Sequence, residues 1–249
     1  MLVKNFVIIC SLLFVMTSCS KKTDALDLVI EAQECLDKFS QEGGDINACE
    51  QKVEGIETPA AYSIRCSIGY LREGLTTSAL IAAFSNLETP TDASVRAFLN
   101  LISFNEAGTG NTTLVRANTD AASNSFRVCS NSEAKGATIV AAYSYITNLL
   151  YQYSCDNDMV MVPDGSCAMD TNTDLLFALG SIEADALNTW LTNDPTTQIG
   201  NIVIAAHEVS CESGEANESL CDFFNRAIDV GGSNANLVGE AFIDALIHP

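Results

Sequence analysis

The sequence predicts an all-α fold of antiparallel helical hairpins stapled by disulfides. Three observations carry this. Apolar residues recur at steps of three and four along most of the chain. Helix-capping and turn residues interrupt that pattern at short intervals. Ten cysteines stand in 249 residues, and an even number argues for disulfide staples.

The period is clearest in "TDALDLVIEAQECLDKF", where Ala25, Val29, Ala32, Leu36 and Phe39 form one stripe and Asp27, Glu31, Glu34 and Asp37 lie away from it. Gly43 and Gly44 end that helix, and Asp45 can cap the next, "INACEQKVEGI". Thr58–Pro59 places a capping hydroxyl before a proline suited to the first helical turn, and Asp194–Pro195 repeats the signal. Helices are expected over 24–40, 45–55, 59–73, 75–87, 91–105, 112–128, 132–153, 173–192, 195–210, 217–229 and 234–247. Short connections favour antiparallel neighbours. The long exception, Cys155 to Asp174, is rich in Pro, Gly and Asp and reads as a loop, with "MVMV" as its one strand-like stretch. "IAAF" at Ile81, "VAAY" at Val140 and "IAAH" at Ile204 suggest a repeat of about 60 residues, a period that suits stacked helical units.

The N-terminus carries a different message. Lys4 precedes the apolar run Phe6–Met16, after which come Thr17, Ser18 and Cys19. These eleven apolar and small residues are too few for a bilayer core, which takes about 20 in a helix. They match the hydrophobic region of an export signal. "MTSC" resembles the lipobox of bacterial lipoproteins, with Met16 where leucine is usual. The resemblance implies cleavage before Cys19 and acylation of its thiol and new amine, and several acyl chains make a firm anchor. Residues 1–18 are then the signal peptide, 19–23 the lipidated anchor and linker, and 24–249 one all-α helical domain. Ser20 after the cysteine, in place of the aspartate that retains such proteins at the inner membrane, implies the outer membrane.

Cleavage leaves 11 basic and 32 acidic side chains, a net charge of −21. Such a surface repels nucleic acid and anionic headgroups, with Lys21–Lys22 as a local exception. A hydrophobic content of 47% argues against disorder. With Cys10 lost and Cys19 acylated, Cys35, Cys49, Cys66, Cys129, Cys155, Cys167, Cys211 and Cys221 remain. An even number in an exported chain argues for disulfides. Spacing favours Cys35–Cys49, Cys155–Cys167 and Cys211–Cys221, which leaves Cys66 for Cys129.

Sites of chemistry are sparse. The chain has no C-x-x-C pair and two histidines, His207 and His248, so a structural zinc is disfavoured. "HEVSC" from His207 lacks the second histidine of a zinc protease, since Cys211 stands there. "DTNTDL" from Asp170 begins like a calcium loop, yet Leu175 and Ser181 occupy the glycine and glutamate positions. Helix capping by Asn172 or Thr173 explains it better, and weak calcium binding by Asp156, Asp158 and Asp164 is the alternative. The chain has no G-x-S-x-G, P-loop or G-x-G-x-x-G motif. No catalytic residue, metal or cofactor is assigned. Tyr62, Tyr70, Tyr143, Tyr145, Tyr151 and Tyr153 are the aromatics to follow, with core packing as their leading role.

The first helical pair also resembles a tetratricopeptide hairpin. Gly44-Asp45-Ile46 stands where that family has Gly-Asp-Tyr, and the small Cys49 follows. The match spans about 30 residues, without the family's aromatic residues or closing proline, and implies a tetratricopeptide-like solenoid or bundle. The leading expectation is therefore a non-enzymatic, membrane-anchored binding or scaffold lipoprotein facing the periplasm, with an unidentified protein partner and no nucleic acid. An accessory ligand-binding lipoprotein of a transport system is the alternative, and a carboxylate-based envelope hydrolase the third hypothesis.

Overall fold

In the computed structural model, residues 24–76, 80, 98–99, 101–104, 112–156, 195–212 and 218–247 are described. Every regular element among them is helical: α1 (Ala25–Glu42), α2 (Ile46–Lys52), α3 (Pro59–Arg72), α4 (Thr112–Ser130), α5 (Lys135–Asp156), α6 (Pro195–Ser210), α7 (Glu218–Gly231) and α8 (Ala235–Ile247). The expected helices over 75–87, 91–105 and 173–192, and the strand-like "MVMV", lie largely or wholly outside the described residues. The chain divides into two units, Met1–Ile56 and Glu57–Pro249.

In the first unit the capping chemistry works as the sequence suggests. The Asn47 N–H donates to Asp45 Oδ1 at 2.9 Å, which satisfies one free donor at the start of α2. Between α1 and α2 the backbone turns through Gly43 (φ 73°) and Gly44 (φ 134°), conformations that L side chains rarely adopt. α1 packs on α2 and buries Ala32 and Leu36 beside Cys49 and Val53. Ala25, expected on the buried stripe, is exposed, as are its neighbours Leu26 and Ile30. Lys52 Nζ reaches Glu31 Oε2 at 3.1 Å across the two helices. α2 ends at Lys52, three residues short of the expected Gly55, because residues 53–55 form a turn.

In the second unit Thr58 Oγ1 accepts from the Ala61 N–H at 3.3 Å and Pro59 occupies the first helical turn of α3. α3 packs on α4, α4 on α5, α5 on α6, and α6, α7 and α8 pack on one another. Thr119 meets Asn148, and Cys129 meets Thr138. Residue numbers therefore rise along α4 as they fall along α5. α5 is the middle of this packing: from Thr138 to Tyr151 every side chain is buried except the half-buried Tyr145. One of its sides joins a small core of Cys66, Tyr70, Leu75, Phe104, Ala122, Val128 and Cys129 through Val140 and Ala141. Ile139, Ala142, Tyr143, Ile146, Leu149 and Leu150 join a larger core with residues of α6, α7 and α8.

The larger core is organised around one ring. Tyr143 stacks on Phe224 with centroids 4.8 Å apart. Phe98 meets it edge-on at 5.1 Å, and Phe242 lies 5.9 Å away. These separations are those at which aromatic pairs attract beyond the area they bury. The four-residue matches do not share surroundings: Val140 to Tyr143 is wholly buried, whereas in Ile204 to His207 only Ala206 is. Ile81 to Phe84 lies outside the described residues.

Candidate functional site

Six of the cysteines sit where helices meet. Cys35 of α1 is bonded to Cys49 of α2, with Cα atoms 5.4 Å apart. Cys66 of α3 is bonded to Cys129 near the end of α4 (Cα–Cα 4.9 Å), and Cys211 after α6 to Cys221 of α7 (5.7 Å). Each bridge joins two elements that pack together, so the helices have already brought the Cα atoms within bridging range. Cys155 lies in the last turn of α5. Its expected partner Cys167, the acylation candidate Cys19, Asp158, Asp164 and the "DTNTDL" stretch lie outside the described residues.

His207, in the last turn of α6, places Nε2 3.0 Å from Asn225 Oδ1 of α7. The residue one turn later, Cys211, is held in its disulfide. Among the described residues no three His, Cys, Asp or Glu side chains gather where they could hold a metal ion. Five of the six tyrosines serve the packing, and the side chain of Tyr153 lies outside the described ones. Tyr70 donates its hydroxyl proton to the Ala137 carbonyl at 2.6 Å and lies 3.7 Å from Cys129 Sγ. Tyr145 accepts from Gln198 Nε2 at 2.6 Å, Tyr62 lies beneath the Arg65 guanidinium at 4.5 Å, and Tyr151 is buried. Burial pushes the Tyr70 hydroxyl far above its ordinary pKa. It does the same to Tyr143, where the Asp222 carboxylate adds to the effect and Arg226 opposes it.

One feature escapes sequence reasoning. Ser144, Thr147 and Asn148 recur at i, i+3 and i+4, a spacing that puts them on one face of α5. Such a face is ordinarily the solvent side of an amphipathic helix. Here all three are fully buried. Thr119 Oγ1 of α4 lies 3.1 Å from both the Val115 and the Asn148 carbonyl oxygens, between which its one proton is shared, and Asn148 Nδ2 donates to the Ser144 carbonyl at 2.8 Å. Ser144 Oγ, Thr147 Oγ1, Asn148 Oδ1 and, next to Thr119, Asn118 Nδ2 are buried without hydrogen-bond partners. The only advance signal was the run of polar residues within a helix of otherwise apolar character.

Set against known proteins, the chain stands apart: no family model matches it, and no curated protein or solved structure does.

Proposed function

We propose that the protein is a lipoprotein of the bacterial outer membrane, anchored by acyl chains on Cys19. Its helices then form tetratricopeptide-like hairpins that act as a non-catalytic binding or scaffold module in the periplasm. The observation that carries this reading is the order of Lys4, the apolar run Phe6–Met16 and "MTSC". The disulfides support export, because such bonds persist in oxidising compartments and are rare in the cytosol. The packing of α4 on α5, which a short turn joins, supports the hairpin arrangement, since helical repeats contact their neighbours in the chain.

The test is expression of the full chain in a Gram-negative host, with intact-mass analysis of the membrane-bound product. The expected mass corresponds to a chain beginning at Cys19 and carrying its acyl groups. Cys19→Ala should abolish acylation and processing. A mature start elsewhere, without lipid, would sink the reading. A second reading, the accessory ligand-binding lipoprotein of a transport system, draws on the buried polar face of α5, because ligand sites combine apolar walls with a few placed polar groups. Crosslinking of the anchored protein, followed by identification of what it captures, separates the two.

A further inference from the structure

Ser144 Oγ, Thr147 Oγ1, Asn148 Oδ1 and Asn118 Nδ2 are all buried and find no hydrogen-bond partner within the protein. Three of them share one face of α5, and Asn118 lies beside Thr119, whose hydroxyl bonds to the Asn148 carbonyl. A buried polar group without a partner loses its hydration and gains nothing in return. Four such groups together would cost a sum comparable to the whole stability of a domain. Native proteins leave few of these, and each points to strain, to function or to a bound guest. Strain is not the reason here, since residues 135–156 are regular helix and no residue of α5 has a positive φ.

The chemistry of the set limits the guest. Asn118 Nδ2 can only donate and Asn148 Oδ1 can only accept, while the two hydroxyls do either. None of the four groups carries a charge, so nothing in the set would compensate the desolvation of an ion. A hydroxyl-bearing molecule both donates and accepts, and internal water typically makes about three hydrogen bonds to groups of this kind.

We propose that this face of α5, with Asn118 of α4, is an internal binding site for a neutral hydroxyl-bearing guest, either water or the hydroxyls of a small polyol. The inference does not depend on the anchoring of the chain. Ser144 and Thr147 supply reversible donors and acceptors, Asn148 accepts and Asn118 donates.

The experiment is oxygen-17 magnetic relaxation dispersion of the purified protein, which detects long-lived internal water, compared with the Ser144→Ala/Thr147→Val variant. The wild type should show at least one long-lived water that the variant lacks. Glycerol is the polyol probe: loss of the signal on its addition identifies a polyol site, and persistence identifies a water site. Identical dispersion in wild type and variant would overturn the proposal. Thr147→Val alone provides a second measurement should the double variant fail to fold. A lower urea midpoint supports a bonded hydroxyl, and a higher one means that the hydroxyl was unpaired and the site does not exist.

Discussion

Gly200 and Gly239 show how a single missing methyl group sets the distance between two helices. A Cβ on Gly200 would collide with the Ala235 carbonyl oxygen, and one on Gly239 with that of Thr196, so α6 and α8 touch backbone to backbone at both points. The obstacle in each case is main chain, which cannot rotate aside. Gly239→Ala is therefore expected to destabilise the protein by about 1–3 kcal/mol from overpacking, although alanine favours helix over glycine by up to ~1 kcal/mol. Gly136 in α5 is the contrast, because nothing lies within 4 Å of its Cβ position. Gly136→Ala should stabilise by up to ~1 kcal/mol. Urea midpoints of the two variants should move in opposite directions; movement in the same direction would contradict the contact geometry. Tyr70 and Tyr143 predict a pH effect. Both hydroxyls are held neutral by burial, against an ordinary pKa of 10.0. Below that pH both states keep their protons and the full stability is present. Above it only the unfolded chain ionises, so stability should fall with rising pH, by about 1.4 kcal/mol per pH unit for each tyrosine. Urea melts across the alkaline range test this, and Tyr143→Phe should flatten the slope.

At the scale of elements, the bridges differ in how much chain they close. Cys66–Cys129 spans 63 residues, against 14 for Cys35–Cys49 and 10 for Cys211–Cys221. In the chain-entropy account the longest should contribute about 4 kcal/mol and the shorter two about 3 kcal/mol each. Replacing Cys66 and Cys129 together by alanine should thus give the largest fall in thermal midpoint of the three double substitutions. An equal fall for all three would show that local strain, not loop length, governs these bonds. Helix positions were largely legible because capping is local: Thr58–Pro59 and Asp45 act within three residues of themselves. The boundary at Lys52 was less so, since the apolar Val53 and Ile56 extend the pattern beyond the helix. The central place of α5 was not legible. An amphipathic stripe declares a helix with one wet side, whereas α5 is covered all round, and its Ser144, Thr147 and Asn148 imitate a solvent face. Nor does the sequence reveal that Tyr143 meets Phe224 and Phe242, because the rings come from helices far apart in the chain. The cysteine spacing succeeded for the bridges between adjacent helices because a short loop leaves few partners within reach.

For the whole molecule, charge decides what the surface can adhere to. The described ion pairs, Lys38–Glu42, Lys52–Glu31 and Arg226–Asp222, all lie at the surface, where such pairs contribute little. Each pair takes one acid and one base, so none of the acidic excess is compensated and the chain keeps its formal net charge of −20. No helix among the described residues is long and apolar enough to cross a membrane. Under the anchoring reading, lipid on Cys19 must then supply the membrane affinity against a protein surface that anionic headgroups repel. Each buried methylene of an acyl chain contributes about 0.8 kcal/mol, so two or three chains outweigh this repulsion. The acylated protein should sediment with vesicles containing phosphatidylglycerol at any ionic strength. The chain from Ser20 onward should stay in the supernatant, most completely at low salt, where the Debye length is longest and repulsion reaches furthest. Lys21 and Lys22 oppose this only locally, since polybasic membrane attachment draws on clusters of about four to eight basic residues. Binding of the unacylated chain that strengthens as salt is lowered would mean that a basic patch, not lipid, holds the protein to the membrane.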